Sequence, residues 1–129
     1  MTTQTTFIGD LAFVASYVSP DEASGKMAMQ PGLLNPFGTA HAGAMIRFAD
    51  VVATTLTLQG RPPTAGMQGF PLAITLSANL LANCREGHLH ARARFVKKAR
   101  RGSTVRTEVT SDEGKVLLDL TKTHVLAEG

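Results

Sequence analysis

Residues Thr39 to Gln59 read TAHAGAMIRFADVVATTLTLQ, and this stretch decides the fold. It contains no proline. Met45, Phe48, Ala49, Val52 and Leu56 recur along it at helical spacing and make one apolar stripe. Thr39 is the expected N-cap, because a threonine hydroxyl can accept from a free amide of the first turn. Gly60 is the expected left-handed terminator, and Pro62-Pro63 prevent the helix from resuming. A helix of this length spans about 30 Å and crosses a whole small domain. The side away from the stripe carries Arg47, Asp50, Thr54 and Thr57.

Outward from the helix the pattern changes to period two. Leu72, Ile74, Leu76, Ala78 and Leu80 alternate with polar residues, as do Leu89, Ala91, Ala93 and Phe95, then Val105 and Val109. Asp112-Glu113-Gly114 reads as a hairpin turn into a last strand, Val116 to Leu126. Four long strands with short connections predict an antiparallel meander. Before the helix, Leu11 to Ser19 and Gly25 to Gln30 read as short strands joined by a turn at Pro20-Asp21-Glu22. Pro31 to Thr39, with two prolines and two glycines, reads as an irregular loop. The class is α+β: one long helix wrapped by a curved antiparallel sheet of five to six strands, in a single domain spanning residues 1–129. One helix cannot cover such a sheet, so a second copy is expected.

Composition sets the outer bounds. Apolar residues make up 43% and charged residues 18%, which fits an ordinary soluble domain with a real core. No apolar run reaches the roughly 18 residues of a membrane span. The first six residues lack a basic and an apolar segment, so no secretion signal is expected; with the lone Cys84 this predicts a cytoplasmic chain. The net charge is only +3, yet eight of the 13 basic residues lie between Arg85 and Arg106, with Glu86 the one acid among them. That patch is either a solvated strand face or an attractor for phosphate-rich ligands.

The segment Asn35-Pro36-Phe37-Gly38-Thr39-Ala40-His41-Ala42-Gly43, with Asp50 nine residues after His41, resembles the signature of the phenylacetate-degradation (PaaI-like) hot-dog thioesterases. The resemblance runs from about Leu11 to Leu126. Thr75 to Leu81 is similar to the family's first meander strand, and Val96 to Ser103 to its basic-Gly turn. It departs at Ala42, where the family has glycine; alanine keeps the backbone N–H and narrows the space beside it. The resemblance implies a hot-dog fold that hydrolyses acyl-CoA thioesters with a medium-chain or aromatic acyl group. Asp50 is then the base or nucleophile, and the Ala42 and Gly43 amides form the oxyanion hole. Asn35 polarises the carbonyl or positions water, Thr54 bonds the carboxylate or the water, and His41 has a structural or carbonyl-orienting role. Lys98, Arg100, Arg101 and Ser103 around Gly102 bind the phosphates of CoA, which is part of the substrate, so no separate cofactor is implied.

Spacing adds a deduction. Ala42 and Asp50 lie about 12 Å apart along one helix. If both act on one thioester, they come from two chains whose helices run antiparallel about a two-fold axis. The expected assembly is a homodimer with composite sites, paired further into a homotetramer.

Plainer readings stand beside these. Asp50 could be a solvated helix residue, and its replacement is expected to leave the fold intact. His41 could only cap and pack, and Asn35 before Pro36 could only form a turn. Leu33, Leu34, Phe37, Met45 and Phe48 read equally as an acyl pocket or as core. Cys84, His88 and His90 lack a fourth ligand at metal spacing, so no metal is expected. Phe95 is the only aromatic within the basic patch, which argues against a nucleic-acid surface. A non-catalytic acyl-CoA-binding hot-dog protein and a hot-dog hydratase or dehydratase are the alternatives.

Overall fold

The apolar stripe folds as its spacing requires. In the computed structural model, which describes residues 4–7 and 9–126, α1 (Ala42–Thr57) buries Met45, Phe48, Ala49, Val52, Ala53 and Leu56. The helix starts later than expected, and its N-cap is His41, not Thr39. The reason lies upstream. Asn35 takes both the Thr39 amide and the Thr39 hydroxyl, and Ala40 is held extended in a bridge to Leu34. The helix closes as Gln59 (φ 52°) and Gly60 (φ 82°) turn left-handed ahead of Pro62-Pro63.

Six strands complete the architecture: β1 (Val14–Ser19), β2 (Glu22–Ala28), β3 (Pro71–Leu80), β4 (His88–Lys98), β5 (Gly102–Thr110) and β6 (Val116–Leu126). All pairings are antiparallel, in the order β1-β2-β4-β5-β6-β3. Glu22 belongs to β2 and pairs with Ser19, so the first turn is tighter than expected. The meander is also corrected: only β4, β5 and β6 run consecutively. β3 lies on the far side of β6, at the sheet edge, with Leu81 and Ala82 donating to the Leu117 carbonyl as the chain leaves it. Alternation reports which face a side chain takes and is blind to which strand lies alongside.

The helix lies across the inner face of β2, β4 and β5. Ala91 and Ala93 give it room, and Gly25 marks the closest approach. A Cβ there would lie 2.6 Å from Val52 Cγ2 and 2.8 Å from Phe48 Cε1. The helix barely reaches β3, whose Leu72, Ile74, Leu76 and Leu80 remain 45–58% exposed. No helix among the described residues is long and apolar enough to cross a membrane. The two chain ends expected to bound the domain, residues 1–3 and 127–129, lie outside the described residues.

Candidate active site

Asp50 projects from the middle of α1 toward β6, where it meets Lys122. The lysine is 1% exposed, and its ammonium donates to Asp50 Oδ1, to the Asp50 carbonyl (3.2 Å) and to Thr54 Oγ1 (3.0 Å). Three acceptors around one nitrogen match the three donors of a protonated amine. Burial pushes the Lys122 pKa down, and the hydrogen bond and charge of Asp50 oppose that shift. Asp50 is not a freely solvated helix acid. Its side chain is 42% exposed, and Oδ2 has no partner among the described residues. The carboxylate is anchored through one oxygen and open through the other.

His124 follows Lys122 on the same face of β6. It is 2% exposed, and neither ring nitrogen finds a partner among the described residues. Desolvation first, then the Lys122 charge, hold its pKa down to about 4, against a smaller upward pull from Asp50. The folded state therefore keeps a neutral imidazole that the unfolded chain protonates near 6.5. This contribution to stability is complete above pH 6.5 and is lost as pH falls toward 4. His124→Leu is expected to remove that dependence. Urea unfolding between pH 7 and pH 4 should show wild type losing about 3 kcal/mol more than the variant. Equal losses would refute the assignment.

The N-terminus of α1 is more occupied than the motif implies. The Gly43 amide donates to His41 Nδ1 at 3.0 Å, so His41 caps its own helix. The Ala42 N–H meets no acceptor among the described residues, which leaves it as the open donor of the expected pair. Asn35 is similarly committed. Its Oδ1 accepts from the Phe37 and Thr39 amides and its Nδ2 donates to Thr39 Oγ1, so it organises the loop. Asn83 holds this loop from the β3–β4 connection, bonding both the Ala40 amide and its carbonyl. Leu33, Met45 and Phe48 are fully buried core, whereas Leu34 and Phe37 are exposed; the five do not line one pocket.

The profile of the domain of unknown function DUF4442 matches residues 1–126. The chain belongs to the DUF4442 family. No curated protein sequence matches this DUF4442 chain. Among solved structures, a thioesterase of Haemophilus influenzae superposes with a TM-score of 0.80 at 19% identity, over 92% of this chain and 80% of that one. A thioesterase variant of Pseudomonas aeruginosa gives 0.81 at 19%, over 92% and 84%. A hypothetical thioesterase of Streptococcus pneumoniae, solved with coenzyme A, gives 0.78 at 15%, over 91% and 87%. The DUF4442 chain has the hot-dog fold.

The basic hairpin sits at the other end of the DUF4442 domain. Lys98 donates to Gln59 Oε1 (3.0 Å) and the Pro20 carbonyl (3.4 Å) and lies 5.0 Å from the centroid of Phe95. It is thereby tied to the C-terminal end of α1, while Arg100 and Arg101 stand exposed at the tip. Gly102 is packed so that a Cβ would meet the His124 carbonyl at 3.3 Å, and Ser103 Oγ lies 3.5 Å from the Ala99 carbonyl. The tip is thus at the far end of the helix from its own Ala42. A broad recess of about 880 Å³ lies on the outer sheet face, among Ser24, Arg92, Arg94, Arg106 and Glu108, and none of the motif residues line it. Among the described residues no three His, Cys, Asp or Glu side chains gather as a metal site. Burial, with the charges of Glu113 and Asp112, pushes the half-buried Cys84 thiol up, away from a nucleophilic thiolate.

Sequence reading missed Lys122 and His124. The signal was present: both fall on the alternation parity of Leu118 and Leu120, so two polar residues occupy positions where β6 otherwise points into the core.

Proposed function

We propose that this protein hydrolyses acyl-CoA thioesters carrying a medium-chain or aromatic acyl group, in the manner of the PaaI-like enzymes, with Asp50 as base or nucleophile. The observation that carries the reading is the half-anchored Asp50 carboxylate, aimed at a face of the hot-dog domain that one helix leaves uncovered. The thioesterase names of the structural relatives, one of them solved with coenzyme A, support the substrate class. The Ala42 amide, at the positive end of α1, is the oxyanion donor.

The site is completed by a second copy. Ala42 and Asp50 of one chain are too far apart for one thioester, and the hairpin tip lies at the wrong end of its own helix. Two helices running antiparallel about a two-fold axis remove both difficulties. The Ala42 of one copy then lies near the Asp50 of the other, and the Arg100-Arg101 tip of one copy lies near the other's helix N-terminus. CoA phosphates bind at that tip, chiefly through Arg100 and Arg101, since Lys98 is engaged elsewhere. Pairing of dimers into a tetramer uses the outer sheet face, where Glu22 with Arg92 and Arg106 with Asp119 set out alternating charge.

Steady-state release of free CoA from a panel of aliphatic and aryl acyl-CoAs, followed by chromatography, tests the reading. Turnover of one class supports it. A second reading, a non-catalytic acyl-CoA binder, draws on the fact that Lys122 and His41 already engage Asp50 and the Gly43 amide. Binding without turnover across the panel would favour it. Arg101→Ala is expected to raise KM about five- to tenfold with little change in kcat, since each charged contact contributes on the order of 1 kcal/mol. A fall in kcat at constant KM would contradict the phosphate role.

A further inference from the structure

We infer that Lys122 is the positioning residue of this site: it fixes Asp50 and Thr54 as one unit facing the open side of the domain. The inference rests on the hydrolase reading above and adds a residue that the motif does not contain.

A buried lysine is costly to keep. Its ammonium loses hydration on a strand face it shares with buried Leu118, Leu120 and His124, and a leucine or methionine would fill the same volume without that penalty. What the ammonium does with its three N–H bonds is therefore informative. All three go to one stretch of α1, two to Asp50 and one to Thr54, residues one helical turn apart. The contact to the Asp50 carbonyl ties the ammonium to the backbone, so the side-chain contacts are referenced to the helix itself.

Two consequences follow at the reacting side. Asp50 loses rotational freedom because Oδ1 is held, and Oδ2 is the oxygen left to meet water or the thioester carbon. Thr54 Oγ1 accepts from the ammonium, which leaves its own hydroxyl proton to be donated elsewhere. A carboxylate oxygen and a hydroxyl donor are thus presented side by side, each oriented from behind by the same cation. Such an arrangement orders a water molecule, or a substrate carbonyl, in front of Asp50. Lys122 itself, 1% exposed behind these groups, does not touch the substrate.

The test compares Lys122→Met with Asp50→Asn in the full chain, after circular dichroism and sedimentation confirm that each is folded and assembled as wild type. Lys122→Met is expected to lower kcat about 10²-fold, the scale of a misplaced catalytic group, while KM changes by roughly twofold or less. Lys122→Ala should regain kcat saturably with added ethylammonium, and the Asp50→Asn/Lys122→Ala double variant should not. If Asp50→Asn is inactive while Lys122→Met keeps wild-type kcat, the positioning role is overturned and the hydrolase reading survives. If Asp50→Asn is as active as wild type, the reading itself falls. Should Lys122→Met fail to fold, ethylammonium that restores the fold of Lys122→Ala without restoring kcat also overturns the inference.

Discussion

Asp50→Asn is expected to lose turnover by about 10²- to 10⁴-fold, the range a positioned carboxylate contributes, and to lose stability at the same time. Sequence alone predicts only the first effect, because a mid-helix acid beside an apolar stripe reads as surface. The structure corrects this: the substitution leaves the Lys122 ammonium buried without its counter-charge. Breaking a fully buried pair costs roughly 3–5 kcal/mol, and the 42% exposure of Asp50 brings the expected cost down to about 1–3 kcal/mol. The Lys122 pKa, already lowered by desolvation, loses the opposing pull of Asp50 and falls further. A lysine with a depressed folded pKa penalises folding while it is protonated, so the variant should gain stability as pH rises from that pKa toward 10.5. Adding Lys122→Met should restore stability and abolish this gain without restoring activity. Urea unfolding at pH 7 and pH 9, beside a CoA-release assay, separates the two effects. A stable Asp50→Asn variant with flat pH behaviour would show that the pair contributes nothing to the fold.

The same pair marks where sequence reading stops. The helix was legible because a 3.6-residue stripe is a local pattern, and Met45, Phe48, Ala49, Val52 and Leu56 all enter the core. The six strands were legible as elements for the same reason. Their neighbours were not: β3 leaves the expected meander and pairs with β6, a choice made by long-range contacts. The helix start shifted because Asn35 satisfies Thr39 before it can cap, a competition among side chains invisible to a position-by-position reading. Asp50 stood out through a motif, whereas Lys122, 72 residues further on, became its partner only in three dimensions. The motif also named more donors than the structure leaves open. Gly43 and Asn35 carry the right chemistry but are occupied by local contacts, and Lys98, from the basic hairpin, is taken by the distant Gln59.

The open edge of β3 supports a second large effect, at a distance from Asp50. Leu72 and Ile74 are 48% and 58% exposed, and they lie on the outermost strand of the sheet, whose far side has no partner strand among the described residues. An exposed apolar edge strand invites pairing with another chain, and lysines on such an edge prevent it. Leu72→Lys with Ile74→Lys is therefore expected to convert the proposed dimer into a folded monomer. Stability of the single chain should change little, since neither side chain is buried within it. Activity should fall to background even though Asp50, Lys122, Thr54 and Ala42 are untouched, because under the composite-site proposal each carboxylate depends on an Ala42 amide from the other copy. Sedimentation velocity gives the state of assembly, and CoA release gives the rate. Mixing the inactive monomer carrying both lysines with Asp50→Asn chains should recover nothing, since neither can build a composite site. A folded monomer that turns over at the wild-type rate would mean that one chain holds a whole site, and the 12 Å separation along α1 would have to be bridged in some other way.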